Sequence, residues 1–319
     1  MTNAESIPYL SETALAGLGI STDDVIESIE RTIADGAQSK VWAAPKAVVL
    51  PPDGRYMMAA LAAADDPALL AVKTVVLNPR NPERGLPQIN GLVTLLDSET
   101  GLPAAILDGN WITAVRTAGL SAAAAKRMAR PESAIAAFVG CGVQARSHLQ
   151  AFKDLFPLSG IRLFGRGQAN IDALGQMAGK MGLEAVVCAT GEETIKEADL
   201  IVSSVTFSAG LEPFLDARWL CPGSFAAVTD LAAPWDKKSF GALDRVVIDD
   251  LEQEAAMPTK LVPLDDVTGD LSGLVLGKVE GRQQDEERTA FVFRGHALGD
   301  LALAGLAYRK AGKAGLLKT

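Results

Sequence analysis

The residues best suited to chemistry begin with Gly140-Cys141-Gly142-Val143-Gln144-Ala145, which follows an apolar run at 134–139 and opens a helix-like stretch at 144–156. In a G-x-G-x-x-A turn between strand and helix, the first glycine permits the tight turn. The second lets phosphates approach the backbone, and the small third position lets helix pack on strand. The helix start adds free N–H groups and the positive end of a dipole. Gly140, Gly142, Val143, Gln144 and Ala145 are therefore candidate contacts for a dinucleotide pyrophosphate. The strand expected next, Gly160–Phe164, ends in Gly165-Arg166-Gly167 and not in an acid. An Asp or Glu there bonds the 2′-hydroxyl of NAD, whereas an arginine accommodates the 2′-phosphate of NADP. Arg166 leans toward NADP but leaves the choice between NAD and NADP open.

A second set of candidates is charged. Lys73 stands among Ala71, Val72, Val75 and Val76, where an unpaired ammonium would be costly, so an anionic partner is expected. Asp230 follows the apolar run Phe225–Val228, at the edge where open α/β sheets bind ligands. It is a candidate for proton transfer, with a loop cap as the alternative. Two histidines and three widely spaced cysteines form no Cys/His cluster, which argues against zinc. An odd cysteine count without a secretory segment reads as free thiols in a reducing compartment. The net charge of −9 argues against a nucleic-acid partner. No apolar run reaches the ~18–20 residues that span a bilayer, and the first residues lack the basic and apolar regions of a signal peptide. A cytoplasmic protein without a membrane partner is expected.

The elements that must hold these groups follow from pattern. A chain of 319 residues suits two domains. Residues 22–34 carry a cap signal and helical apolar spacing, whereas 47–50, 71–77, 91–96 and 103–107 read as strands, with a proline-rich loop at 78–90. An alanine-rich helix at 111–130 leads into alternating strands and helices at 134–139, 144–156, 160–164 and 169–181. Apolar strands follow at 185–188, 200–205, 224–228 and 245–248, then a last helix at 297–311. This alternation predicts an α/β chain, a doubly wound parallel Rossmann sheet accompanied by a smaller α+β domain.

Two blocks resemble the ornithine cyclodeaminase/mu-crystallin family. They are Asp108-Gly109-Asn110-Trp111-Ile112-Thr113-Ala114-Val115-Arg116-Thr117-Ala118, and Gly140 to Ala145 with Ser147-His148. A looser likeness at Glu280-Gly281-Arg282, and from Thr289 to Asp300, carries it to the C-terminus. The resemblance implies a substrate-binding and dimerisation domain at 1–112, completed by 296–319, and a dinucleotide-binding domain at 113–295. It implies that Lys73 and Arg116 bind a substrate carboxylate, with Lys46 where the family has a further arginine. It implies cofactor contacts at Thr117, Val205 and Thr206. Arg294 and His296 fall in a stretch that lines the nicotinamide end, and Arg294 there suits a second acidic group on the substrate. His148 is expected to be structural. Asp230 corresponds to an aspartate that the family sets before Pro-Gly-Lys, but this chain continues Leu231-Ala232-Ala233-Pro234.

Taken together, the expected activity is NAD(P)H-dependent reduction of a small α-imino acid. Lys73 and Arg116 would clamp the carboxylate, and Asp230 or a water would protonate the imine nitrogen. A dicarboxylate such as iminosuccinate suits an added Arg294. The alternatives are a cyclodeaminase with tightly bound NAD and a non-catalytic ligand binder. A homodimer follows from the resemblance alone.

Overall fold

The computed structural model describes residues 6–206 and 210–317. They form two compact units, one running to Arg116 and resuming at His296, the other from Thr117 to Gly295. The first boundary thus falls four residues after the 112/113 expected from sequence, inside an unbroken helix.

In chain order the first unit contributes β1 (Tyr9–Leu10), α1 (Glu12–Ala16), α2 (Thr22–Ala37), β2 (Val41–Ala43), β3 (Ala47–Val49), β4 (Tyr56–Asp65), β5 (Ala68–Leu77), β6 (Ile89–Asp97), β7 (Pro103–Asp108) and the start of α3 (Gly109–Met128). The second unit follows with β8 (Ile135–Val139), α4 (Val143–Leu155), β9 (Gly160–Phe164), α5 (Gln168–Lys180), β10 (Glu184–Val187), α6 (Gly191–Ile195), β11 (Leu200–Ser203) and β12 (Phe225–Val228). It ends with β13 (Arg245–Ile248), α7 (Leu251–Ala256), β14 (Gly269–Asp270), α8 (Leu271–Val275) and β15 (Thr289–Val292). The last helix, α9 (Ala297–Lys313), returns to the first unit.

Among the described residues the first unit holds a seven-stranded sheet in the order β1-β7-β6-β5-β4-β2, with β3 also on β4. Side chains alternate along a strand. Leu69, Ala71, Lys73 and Val75 of β5 therefore point to one buried face, beside Ala60, Ala62 and Ala64 of β4. Helix α9 packs on β4, β5 and α2, and the small alanines beneath it admit its backbone. Ser28 of α2 donates to the Ala302 carbonyl at 2.9 Å. A capping box fixes the start of α2, because the Ser21 hydroxyl accepts the Asp24 N–H while the Asp24 carboxylate accepts the Ser21 N–H.

Helix α3 is seated just as closely. A Cβ on Gly109 would lie 2.4 Å from the Gly91 carbonyl carbon of β6, so only glycine allows this approach. Asp108 Oδ1 accepts the Trp111 N–H at 2.8 Å and caps the helix. That seating sets the position of Arg116, two turns further on.

Among the described residues the second unit holds an eight-stranded parallel sheet ordered β10-β9-β8-β11-β12-β15-β13-β14, a doubly wound Rossmann arrangement. Its central strands β11, β12 and β15 are buried throughout, as expected of strands covered on both faces. The chain winds outward from β8 to β10, then restarts at β11 on the other side of β8. The carboxyl ends of β8 and β11 therefore flank the switch point where such sheets bind ligands. No helix among the described residues is long and apolar enough to cross a membrane.

Candidate active site

In the first unit four charged side chains gather. Lys73 projects from β5 with only 1% of its surface exposed, and its Nζ donates to Asp300 Oδ1 at 2.7 Å. Arg116 of α3 brings its Nε to 2.9 Å from the same oxygen. The contact is one of charge and not of direction, because buried Nε and Nη1 both lack a hydrogen-bond partner. Asp300 lies in the first turn of α9, where the helix dipole favours an anion. Lys46, in the loop after β2, adds its charge to both Lys73 and Asp300.

Three cations thus share one carboxylate, and this decides the ionisation. Burial raises the Asp300 pKa, but Arg116 and then Lys73 outweigh it and hold the group below the usual carboxylate range. Lys73 is the cation left short. Burial first, then Arg116, bring it down to about 7 against the pull of Asp300.

The cluster can take another anion. Orphaned guanidinium N–H groups in a buried place cost about 1–3 kcal/mol each unless a partner arrives. A carboxylate meeting Nε and Nη of Arg116 answers that need in planar geometry. Thr113, one turn before Arg116 on α3, also has a buried hydroxyl without a partner. The sequence block contains Thr113, but no local signal gives it a role. Asp300 also went unassigned, although a lone acid opening an alanine- and leucine-rich helix is a detectable anomaly.

In the second unit the G-x-G-x-x-A turn has the form its residues predict. Gly140 adopts φ +92°, and a Cβ there would lie 2.6 Å from the Ser204 carbonyl oxygen. Its own carbonyl accepts from the Ser204 hydroxyl at 3.0 Å, so the ends of β8 and β11 are tied. At Gly142 an added Cβ would meet nothing within 4 Å. Gly142 also caps α4 without any side chain, which leaves the first-turn N–H groups available. Gln144 Oε1 is buried without a partner beside them. The open glycine turn and the free N–H groups fit a dinucleotide pyrophosphate, which the backbone of Gly142, Val143 and Gln144 would hold above the buried Ala145, whereas the acceptor Gln144 Oε1 offers an anion no bond.

The remaining candidates are spread through the same unit, apart from His296. Thr117 is buried in α3. Arg166 is exposed just before α5, whose N-cap Gly167 provides no side-chain bond. Asp230, past β12, accepts the Val205 N–H at 3.0 Å and the Ser203 hydroxyl at 3.1 Å, so it joins the end of β11. Thr206 follows Val205 in the same strand exit. Arg294 is already engaged: it donates to buried Glu254 at 2.7 Å and to the Thr259 carbonyl. His148 braces Ser121 and the Gln144 carbonyl, and burial lowers it to about 4. His296 stands at the N-cap position of α9, with no capping bond from its side chain to the helix. A cleft of about 220 Å³ along α2 and α9, lined by Asp24, Arg31 and Arg309 among others, holds none of these candidates.

The sequence profile of the ornithine cyclodeaminase/mu-crystallin family matches residues 12–315. Alanine dehydrogenase of Archaeoglobus fulgidus is 28% identical, over 92% of this chain and 91% of its own. Among solved structures, Δ1-pyrroline-2-carboxylate reductase of Thermococcus litoralis, in complex with NADH and L-proline, superposes with a TM-score of 0.89. It is 28% identical and covers 97% of this chain and 98% of that one. An archaeal alanine dehydrogenase dimer with bound NAD gives 0.84 at 25% identity, covering 97% of each chain.

Proposed function

Since this chain belongs to the ornithine cyclodeaminase/mu-crystallin family, we propose that it is an NAD(P)H-dependent oxidoreductase that reduces a small α-imino acid to the amino acid. The observation that carries this reading is the buried Arg116, whose unpartnered N–H groups lie beside Lys73 and Asp300. Arg116 and Lys73 bind the α-carboxylate, Lys46 adds long-range attraction, and Asp300 keeps both inner cations in place. Asp230 supplies the proton that the imine nitrogen needs. A nicotinamide cofactor, when bound, supplies the hydride. The rate gain comes from orientation and fixed charge.

The experiment is nicotinamide absorbance with NADH and NADPH offered separately, against a cyclic α-imino acid and against α-keto acids with ammonia or methylamine. Oxaloacetate belongs in the panel because a dicarboxylate is the substrate that the sequence position of Arg294 suggests. Net oxidation is expected. Release of ammonia from ornithine without net oxidation would instead mark a cyclodeaminase, and binding without turnover a carrier. No acid stands between Gly165 and Asn170 while Arg166 does, so NADPH is the expected better donor.

Lys73 gives the reaction a pH signature. A substrate carboxylate prefers the ammonium form, and the free enzyme loses that form as pH rises through about 7. KM should therefore climb above neutrality, by up to about tenfold per pH unit. A KM flat from pH 6 to 9 would remove Lys73 from carboxylate binding.

The homodimer has support in the first unit. The sheet face away from α9 presents Leu61 and Val72 in register on β4 and β5, then Thr94 of β6 and Ile106 of β7 in the same row, with Trp42 and Leu92 exposed nearby. An apolar face of this kind is characteristic of an interaction surface. We assign it to a second copy of the chain, as the dimeric relative suggests. Sedimentation should give twice the chain mass, and Leu61→Glu should return the monomer. A monomeric wild-type protein at micromolar concentration would refute this. A cytoplasmic location belongs to the same reading and accords with the free cysteines Cys141, Cys188 and Cys221; recovery in a membrane or secreted fraction would count against it.

A further inference from the structure

Behind Asp230 lies a second layer of polar side chains. Ser203 ends β11 fully buried, and Trp235 is 1% exposed within the core of the same unit. The indole Nε1–H donates to Ser203 Oγ at 2.9 Å, and Ser203 Oγ lies 3.1 Å from Asp230 Oδ1. An indole nitrogen donates and cannot accept. The hydrogen shared by Trp235 and Ser203 therefore belongs to the indole, and the hydroxyl hydrogen is left for Asp230. Direction is thereby settled along the whole chain, from indole to hydroxyl to carboxyl.

The backbone is bent to build this. Leu231 and Ala232, directly after Asp230, adopt φ +60° and +54°, a left-handed region that residues with a Cβ avoid. Two such residues in succession turn the chain sharply, and Trp235 then bonds back to β11. Strain of this kind persists where the surrounding contacts over-determine it, and it gathers at functional sites.

We propose that Ser203 and Trp235 are positioning residues for proton transfer at Asp230, a one-way donor pair that stabilises the carboxylate once it has given up its proton. This rests on the reading of Asp230 as the proton-transfer group. A proton relay needs every member both to accept and to donate, and the indole cannot accept. The pair polarises Asp230 but conducts nothing, so the proton leaves and returns at Asp230 itself. In the step, the Asp230 O–H bond breaks, an N–H bond forms on the imine nitrogen, and the electron pair stays on the carboxylate. Solvent then returns a proton.

The forces on Asp230 agree with this arrangement. Burial drives it up, to about 7, against the Val205 N–H, the Ser203 hydroxyl and the backbone N–H groups of Asp230 and Ala232. None of these influences, from β11, β12 or the turn after it, is a charged side chain. Losing the hydroxyl should therefore raise the value further.

The test is the pH profile of kcat for reduction of a cyclic α-imino acid by the NAD(P)H-loaded enzyme, so that no free amine is needed. Wild type should lose rate as pH rises through the Asp230 transition. Ser203→Ala should move that limb upward by about one pH unit, a tenfold change in the proton-bearing fraction on the limb. Ser203→Thr should restore the wild-type position, and Trp235→Phe should shift it upward by less. Asp230→Asn should abolish the limb together with most of the rate. An unmoved limb in Ser203→Ala, with the limb absent from Asp230→Asn, overturns the positioning role and leaves Asp230 as the acid. A limb that survives in Asp230→Asn overturns the reading of Asp230 itself. Ser203→Ala removes one atom, so it decides the matter even where Trp235→Phe does not fold.

Discussion

Arg116→Met should lower kcat/KM for the imino acid by about 100- to 1,000-fold while leaving NAD(P)H affinity within about twofold. Truncating one member of a buried, hydrogen-bonded charge pair costs about 2–5 kcal/mol, and each 1.36 kcal/mol is a factor of ten. Methionine keeps the unbranched apolar stem of the side chain as far as the Nε position, and so preserves most of the packing along α3. It leaves Lys73, 2.7 Å away, as a partner for Asp300, so the fold should survive. Arg116→Lys should recover only part of the loss, because an ammonium restores charge without the planar fork. Steady-state kinetics with a cofactor titration check both variants. A loss below about fivefold, or one confined to cofactor binding, would separate Arg116 from the substrate.

Asp300→Asn should cost about 3–5 kcal/mol of stability, the usual penalty for leaving a buried charge without its partner. The amide matches the carboxylate in shape but cannot neutralise Lys73 and Arg116, both under 10% exposed. Urea unfolding measures it. On a Lys73→Met background the same change should cost less, because one buried cation has gone, and that difference is the coupling. The pH sign follows from Asp300 itself. Its folded pKa lies below the unfolded value, so its stabilisation is complete above the ordinary carboxylate range and lost as pH falls through the folded value. Wild type should therefore lose this contribution in acid, and Asp300→Asn should have none to lose. Equal stability of the two proteins at neutral pH would show that Asp300 is not the anchor.

How far these groups could be read from sequence depended on whether the physical demand was local. At Gly140 and Gly142 the signal is the glycine spacing itself, within six residues between a strand and a helix, so the turn reads directly even though the Ser204 carbonyl that bars a Cβ at Gly140 is distant in sequence. Lys73 was legible as a misfit in an apolar strand, and its need for an anion with it. The anion was not, since Asp300 is 227 positions away and is brought in only when α9 folds back on β5. Strand β4 left little trace either. Tyr56–Asp65 is rich in alanine, a residue with high helix preference, and it is extended because β2, β3 and β5 pair with it and α9 requires small side chains there. In the same way β15 enters the sheet between β12 and β13 although it follows both in sequence. Arg294 shows the converse. Its sequence position suggested a substrate contact, whereas the fold supplies Glu254, forty residues earlier, to match its charge.

The most direct measurement of the central claim is the fate of the hydride. The enzyme would be given cofactor carrying deuterium at nicotinamide C4, on the transferred face, with an α-imino acid as substrate, and the amino acid product examined by mass spectrometry and NMR. One deuterium at Cα is expected for each cofactor oxidised, with Arg116→Met slowing its appearance. Product without deuterium at Cα, or ammonia released with the cofactor unchanged, would contradict it.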